Sequence, residues 1–124
     1  MARIIIADDD ELLVDMVRSA LEARGHIVGS LENGRRVRQV VETKRPDLVI
    51  LDCSMPEVSG IQALRDLRTS PTAHATPVLV LTGRRSLIDE DIAWKAGTDD
   101  YLRKPFDPDE LVARVEALLP GPAR

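Results

Sequence analysis

Four acidic residues, a threonine and a lysine stand where short apolar runs of this sequence end. Carboxylates that lie close together resist joint ionisation, so a group of them needs a cation to compensate for its charge. A lysine can supply that charge, and so can a divalent ion bound by the carboxylates. Because the candidate ligands are all oxygens, the ion that suits them is Mg²⁺, which pairs readily with phosphate. The residues are Asp8, Asp9, Asp10, Asp52, Thr82 and Lys104.

Parallel β-strands would bring these residues together. Short runs that are rich in β-branched residues, and apolar on successive positions, are typical of strands buried on both faces of a sheet. Three strong runs of this kind precede the acidic residues and the threonine, and a weaker run and a short one add two more strands. The predicted strands, in chain order, are 3–7, 26–30, 47–51, 77–81 and 101–103.

Helical periodicity fills the intervals between these runs. The first helix, with Leu13 and Val17 on its apolar stripe, ends at Gly25, a favourable residue just beyond a helix. The last helix has the clearest N-terminal signal, since Asp107 can cap it and Pro108 can take its first position. Strand–helix alternation gives a parallel sheet with helices on both faces, and the strand ends then share one edge. The other helices are marked by apolar residues at 37, 40 and 41, at 61, 64 and 67 (beginning near Ser59), and at 88, 92, 93 and 96 (ending at Gly97).

The composition is that of one soluble globular domain. The 124 residues are 44% hydrophobic and 31% charged, a balance that needs neither a disulfide nor a metal to hold the core. A net charge of −4 argues against nucleic-acid binding by this chain, and no apolar run is long enough to span a membrane. With no secretory signal in the first residues, we expect a cytoplasmic protein. We expect the domain to cover residues 1–119, and residues 120–124 to be a tail or the start of a linker.

The same residues carry a resemblance to the receiver domains of two-component response regulators. The match extends from Ile4 to Leu119. Each motif is weak alone, but their order along the chain and their places at strand ends make the set specific. The motifs are Asp8-Asp9, Asp52 followed by Met55-Pro56 and Gly60, Thr82-Gly83, and the segment from Gly97 to Phe106, which includes Tyr101 and Lys104-Pro105.

The resemblance implies an α/β fold, a single flavodoxin-like (βα)5 doubly wound parallel sheet with strand order 2-1-3-4-5. It also implies that Asp52 is the phosphoacceptor, a carboxylate that attacks the phosphohistidine of a partner kinase. Asp9, Asp52 and the backbone carbonyl of Ser54 would bind Mg²⁺ directly, and Asp8 would act mostly through a metal-bound water. The metal and Lys104 would then neutralise charge on the phosphoryl group during its transfer.

A switch and a set of partners follow from the same resemblance. The Thr82 hydroxyl would donate to the phosphoryl group, and Tyr101 would turn into the space behind it, reshaping the surface of the fourth helix, fifth strand and fifth helix. A cis Lys104–Pro105 peptide bond would aim the lysine into the site. A sensor histidine kinase or a phosphotransfer protein would supply the phosphoryl group. An output domain, an effector protein or a homodimer formed on phosphorylation would respond. The chain would be a signalling domain that catalyses only its own phosphorylation and dephosphorylation.

A few positions depart from the family pattern or vary within it. Gly83 replaces the usual alanine, and a small residue there keeps phosphate access open. Ser54 and Arg84 flank the path of attacking water, and the long Arg84 side chain is expected to slow loss of the phosphoryl group. The acidic stretch 89–91, expected to be a solvated helix face, stands where the transcription-factor branch usually carries basic residues, so the dimer mode stays open. The charged pairs through which that branch dimerises are matched by Asp100, Glu110 and Arg114.

Other interpretations of these residues remain open. The acids at 8–10 could simply favour the dipole of a helix, and Tyr101 could be ordinary core packing. His26 and His74 are expected to be exposed. Two other functions compete: a Mg²⁺-dependent phosphatase or phosphotransferase of the haloacid-dehalogenase kind, and a receiver-like binding module that is never phosphorylated. The phosphatase would need an acid two residues after its nucleophile, where this chain has Ser54, and a cap domain for which the chain has no room.

Overall fold

A parallel five-stranded sheet forms the centre of the computed structural model, which describes residues 1–83 and 87–120, the second range with side chains from residue 90. Its order is β2-β1-β3-β4-β5, and all neighbours are parallel. This is the flavodoxin-like arrangement, so the expected fold class is confirmed. The strands are β1 (Arg3–Ala7), β2 (Ile27–Leu31), β3 (Leu48–Asp52), β4 (Val78–Thr82) and β5 (Asp100–Arg103).

Five helices connect the strands and cover both faces of the sheet. Side-chain caps begin three of them: Asp10 and Asp107 accept hydrogen bonds from the first turns that follow, and Ser59 forms a capping box with Gln62. These bonds satisfy amides that have no partner inside the helix. The helices are α1 (Glu11–Glu22), α2 (Val37–Lys44), α3 (Gly60–Arg68), α4 (Leu87–Ala96) and α5 (Pro108–Leu118).

Two glycines end helices by the same backbone geometry. Gly25 follows α1 with φ 89° and Gly97 follows α4 with φ 103°, in the left-handed region that glycine enters without steric cost. In both cases the amide after the glycine donates to a carbonyl five residues earlier, as in a Schellman motif. The helix ends predicted from these glycines are confirmed. The strands that follow, β2 and β5, run parallel to their neighbours.

Strand boundaries differ by one residue from the sequence prediction at several ends. β2 begins at Ile27 rather than at His26, and β5 begins at Asp100. β3 and β4 include Asp52 and Thr82 as their last residues, which the sequence placed just beyond the strands. Both side chains are therefore positioned by the hydrogen-bonded sheet and not by a loop.

The hydrophobic core consists of one layer on each face of the sheet. Alternate β1 residues, including Ile4 and Ile6, pack with α1 and α5 on one face. On the other face, Val49 and Leu51 of β3 pack with the buried sides of α2, α3 and α4. The two core layers hold the carboxyl edge of the sheet in place, which is the edge that carries the candidate site.

His26 is buried, so the expectation that it is exposed was wrong. Only 8% of its surface is accessible. Its Nδ1 accepts a hydrogen bond from the amide of Ala2 (3.0 Å), and its Nε2 lies 3.0 Å from Glu116 Oε2 of α5. Arg24 donates two hydrogen bonds to the same carboxylate. The apolar strand pattern around His26 gave no sign of this cluster, because Ala2 and Glu116 come from distant parts of the chain.

Some sequence predictions fall outside the described residues. These are the Arg84 side chain, the side chains of Ile88 and Asp89 in α4, and the tail at 121–124. Within the described part of the chain, we find no helix with the length and apolar character required to cross a bilayer.

Candidate functional site

The carboxylates of Asp8, Asp9 and Asp52 meet at the carboxyl edge of the sheet. β1 and β3 are neighbours, and Ala7 pairs with Leu51, so the next residue of each chain segment lies at the same edge. One oxygen from each of the three carboxylates lies within 4.8 Å of the other two. Asp8 and Asp52 are buried, whereas Asp9 is exposed. Three hard oxygen ligands with one open side fit Mg²⁺, which retains water in such sites.

The consecutive acids at 8–10 have different structural roles. Asp10 caps α1 through its side chain, so the helix-terminal interpretation holds for that residue. The amide of Asp8 donates to the carbonyl of Leu31 in β2 (3.0 Å), and its Oδ1 accepts a hydrogen bond from the amide of Asp10 (2.9 Å). These bonds hold the backbone amide and Oδ1 of Asp8 in place. The other carboxylate oxygen, Oδ2, contacts the lysine described next.

Lys104 forms ion pairs with both buried carboxylates. Its Nζ lies 3.1 Å from Asp8 Oδ2 and 3.2 Å from Asp52 Oδ1. The lysine follows β5, and its amide donates to the carbonyl of Thr82 at the end of β4 (2.8 Å). The Lys104–Pro105 peptide bond is cis. Residues 96 positions apart in the sequence are thus in direct contact, as the shared edge of a parallel sheet requires.

Burial and mutual repulsion make ionisation of Asp52 costly. Desolvation, followed by the negative charge of Asp8, raises the pKa of Asp52 to about 6, although Lys104 opposes the rise. Burial opposes the charge of Lys104, but the attraction of Asp52 and Asp8 outweighs it, so the pKa of Lys104 is raised. The site therefore carries more carboxylate charge than one ammonium can compensate for. A divalent cation would remove the excess.

Thr82 brings a buried hydroxyl without a hydrogen-bond partner to the same edge. Its side chain is inaccessible to solvent, and among the described residues Oγ1 is the buried side-chain polar atom that lacks a partner. Leaving a hydroxyl unsatisfied costs free energy, so the feature needs an explanation. β4 lies next to β3, and Leu81 pairs with Asp52, which puts Thr82 one residue beyond that pair. An acceptor oxygen attached at Asp52 would satisfy the hydroxyl.

The loop after Asp52 packs tightly around the candidate site. The amide of Ser54 lies 3.4 Å from Asp52 Oδ1, and the amide of Gly60 donates to the carbonyl of Cys53 (3.1 Å). A Cβ atom at Gly60 would overlap the carbonyl oxygen of Asp52. Glycine is therefore required at the start of α3 because the helix approaches the end of β3 so closely.

Tyr101 belongs to β5 and contacts α4, apart from the cluster of Asp8, Asp9 and Asp52. Its ring is partly buried and makes an edge-to-face contact with Trp94, with ring centroids 5.8 Å apart. Its hydroxyl forms a hydrogen bond with Glu90, which raises the pKa of Tyr101 and lowers the pKa of Glu90. Arg103 also donates to Glu90 (2.7 Å).

Glu90 is a residue that sequence reasoning missed. The acidic stretch 89–91 was expected to be a solvated helix face, but the Glu90 side chain is only 23% exposed and bonds to both Tyr101 and Arg103 of β5. The sequence signal for this contact is an acid in the helix before β5 together with a tyrosine and an arginine two residues apart in that strand. It is a weak signal, because it depends on how α4 is rotated over the sheet.

The charged residues of β5 and α5 pair within the chain. Arg114 lies 3.2 Å from an oxygen of Asp100 and 3.2 Å from an oxygen of Glu110. The three residues that match the dimer-forming pattern are therefore engaged with one another in the single chain.

Comparison with known proteins identifies the family. The family model described as "Response regulator receiver domain" matches residues 4–116. The chain belongs to the response regulator receiver family. The recognition made from the motifs is therefore confirmed.

Relatives of this receiver domain are longer proteins. Response regulator MprA of Mycolicibacterium vanbaalenii is 40% identical over 117 residues, and response regulator protein PmrA of Pseudomonas aeruginosa is 43% identical over 116. These matches cover 94% of this chain but 50% and 52% of the relatives, so the chain spans about half their length.

A solved structure provides a comparison for the carboxylate cluster. The receiver domain of the sensor histidine kinase PA1611 from Pseudomonas aeruginosa PAO1 is 26% identical, with a TM-score of 0.87. The match covers 94% of this chain and 96% of that one. That structure has a magnesium ion coordinated in its active-site cleft.

Proposed function

We propose that this receiver domain accepts a phosphoryl group on Asp52, in a Mg²⁺-dependent reaction, from a sensor histidine kinase or a phosphotransfer protein. The observation that carries the proposal is the convergence of three carboxylates with the Lys104 ammonium, on a sheet edge that also presents the unpartnered hydroxyl of Thr82. Phosphoryl transfer needs mainly positioning and charge neutralisation, and these groups supply both.

The hydrogen bonds favour Asp52 over Asp8 as the nucleophile. Both oxygens of Asp8 are engaged, Oδ1 with the amide of Asp10 and Oδ2 with Lys104. The lysine and the amide of Ser54 both contact Oδ1 of Asp52. Within the described residues, Oδ2 of Asp52 accepts no hydrogen bond. One oxygen of Asp52 is thus available to attack, while the other is held in place.

The proposed reaction forms an acyl phosphate. Oδ2 of Asp52 attacks phosphorus, the bond from phosphorus to the donor imidazole breaks, and the imidazole nitrogen retains the electron pair. Lys104 pairs with a phosphoryl oxygen, and Thr82 Oγ1 donates a hydrogen bond to another. Asp9, Asp52 and the Ser54 carbonyl would hold Mg²⁺, with Asp8 acting through a water, and the bound ion would supply further positive charge.

The proposed signal is a rearrangement of the surface formed by α4, β5 and α5. Engagement of Thr82 by the phosphoryl group would draw the end of β4 inward and make room behind it for Tyr101. Turning inward would cost Tyr101 its hydrogen bond to Glu90. Glu90 would then keep only its hydrogen bond from Arg103 among these two partners. An output domain, an effector protein or a homodimer would recognise the changed surface.

Two further parts of the proposal rest on the sequence alone. Arg84 lies outside the described residues, and we propose that its long side chain screens the acyl phosphate from water. Timing phosphate loss in Arg84→Ala tests this, because an unchanged lifetime would refute it. We also propose that the reaction takes place in the cytoplasm, in keeping with the sequence-based expectation.

Incubation with Mg²⁺ and acetyl phosphate tests the proposed function. Intact-mass measurement should show one added phosphoryl group that disappears in Asp52→Asn and when Mg²⁺ is chelated. Asp91→Asn is the matched control, because the Asp91 side chain is 69% exposed on α4 and pairs with Lys95. Steady release of phosphate from many substrates would instead favour a phosphatase. A chain that stays unmodified with every donor would favour a binding module that is never phosphorylated.

A further inference from the structure

A half-open apolar groove lies on the face of β1 and β2 that α2 leaves uncovered. Its volume is about 400 Å³. Ile5, Ile27 and Gly29 line it from the strands, and Val40 lines it from α2. Ile5 is buried but belongs to neither of the two core layers, and Ile27 is 53% exposed. The groove is thus a concave apolar surface whose lining residues include no member of the carboxylate cluster.

The groove exists because α2 is short and Gly29 has no side chain. α2 spans eight residues, packs against α3, and directs Val37 and Val41 into the core. The outer strand β2 is therefore left without a covering helix on this face. A Cβ atom built at Gly29 would meet nothing within 4 Å, so the space above that residue is open.

Three cations line the groove, and its lining residues include no acid. They are Arg3, Arg36 and Lys44, whose side chains form no ion pair or hydrogen bond with a described residue; the Arg3 amide donates to the Asp47 carboxylate (2.8 Å). Most other cations are paired: across residues 1–83 and 87–120, the remaining unpaired ones are Arg45 and Arg65. Unpaired positive charge is thus concentrated at the groove of an otherwise acidic chain.

We propose that this groove binds a small amphiphilic carboxylate, a ligand with an apolar chain or ring and one carboxylate group. Its apolar part would lie on Ile5, Ile27 and Val40, and its carboxylate would pair with Arg36 and Lys44. The positive charge of the groove lining favours an anionic group on the ligand, and the apolar lining residues favour a hydrophobic chain or ring. The volume falls in the range of small-molecule sites, which join an apolar lining to a few polar groups.

Titration of the ¹⁵N-labelled chain with decanoate tests the proposal. The amides of Ile27 and Gly29 should shift saturably, with a Kd of about 1 mM for a ligand of this size. Decyltrimethylammonium, which has the same chain but the opposite charge, should not shift them. The double variant Arg36→Gln/Lys44→Gln should bind at least tenfold more weakly. Arg45→Gln is the matched control and should bind like the unchanged chain, because Arg45 is an unpaired cation outside the groove.

A second variant tests the apolar part of the site. Gly29→Leu places a side chain in open space within the groove, so the fold should persist while decanoate binding is lost. Its thermal unfolding should match that of the unchanged chain. The proposal is overturned if decanoate leaves the groove amides unshifted, binds Gly29→Leu as well as the unchanged chain, or is matched by the cationic analogue. It is also overturned if light scattering shows a dimer that Gly29→Leu dissociates, since a second copy then occupies the groove.

Discussion

Asp52→Asn should stabilise the Mg²⁺-free domain, although it removes the proposed phosphoacceptor. The side chain is only 7% exposed, and burial with the neighbouring Asp8 charge raises its pKa from 3.8 to about 6. A carboxyl group whose pKa is higher in the folded state disfavours folding once it is ionised. That cost is complete above pH 6 and fades as the pH falls from about 6 to about 4. The shift corresponds to about 3 kcal/mol, an upper limit for the gain in the variant.

Urea unfolding with and without EDTA measures this effect. At pH 7.5 without Mg²⁺, we expect Asp52→Asn to raise the free energy of unfolding by about 1–3 kcal/mol, and at pH 5 by about half as much. Saturating Mg²⁺ should stabilise the unchanged chain more than the variant, because the proposed Mg²⁺ site includes the Asp52 carboxylate and exists in the folded state only. Asp15→Asn, which alters an exposed pair at 3.7 Å, should change stability by less than about 0.5 kcal/mol.

Two results would refute the electrostatic reasoning. If Asp52→Asn destabilises the Mg²⁺-free domain at pH 7.5, the contact with Lys104 outweighs the cost of burying the charge. If the difference between the two proteins is constant from pH 5 to pH 7.5, the pKa of Asp52 is not raised.

Four other substitutions, one of them a control, test local features of the structure. Gly60→Ala should lower the free energy of unfolding by about 2 kcal/mol or more, because its Cβ would overlap the backbone of β3. The control Gly83→Ala, which has open space around it, should be nearly neutral. Urea unfolding measures both. Glu116→Gln should be destabilising at neutral pH, and less so as the pH falls from about 4 towards 2, since hydrogen bonds from Arg24 and His26 lower the pKa of Glu116 to about 2. Acid unfolding curves of both proteins check this. Glu90→Gln should lower the pKa of Tyr101, because the Glu90 carboxylate raises it, and the single tyrosine makes ultraviolet titration unambiguous.

A specific result would contradict each of these predictions. A stable Gly60→Ala variant would mean that α3 does not approach β3 as closely as described. A pH-independent effect of Glu116→Gln would mean that its charge does not stabilise the fold. An unchanged tyrosine pKa in Glu90→Gln would remove the proposed restraint on Tyr101.

Much of the site could be predicted because strand ends carry chemistry that is visible in the sequence. Acids after two apolar runs, a threonine after a third and a lysine after the last must share one edge once the strands are parallel. The contacts of Lys104 with Asp8 and Asp52 follow from that rule together with the strand order. The strand order itself came from the resemblance, since alternation of strands and helices does not determine which strands are neighbours.

The remaining features depend on how the helices are oriented over the sheet. The contact of Glu90 with β5 requires a particular rotation of α4, and the groove requires α2 to lie towards α3. The burial of His26 requires α5 to bring Glu116 to the start of β2. Apolar periodicity shows that a helix has a buried side, but it does not show where that side meets the sheet.

Chemical trapping of the modified residue tests the central claim most directly. After treatment with acetyl phosphate and Mg²⁺, borohydride reduction converts an aspartyl phosphate to homoserine, which peptide mass spectrometry can locate. We predict homoserine at position 52, and none when Mg²⁺ is chelated before phosphorylation. Homoserine at Asp8 or Asp9 instead, or its complete absence, would contradict the conclusion that the free oxygen of Asp52 accepts the phosphoryl group.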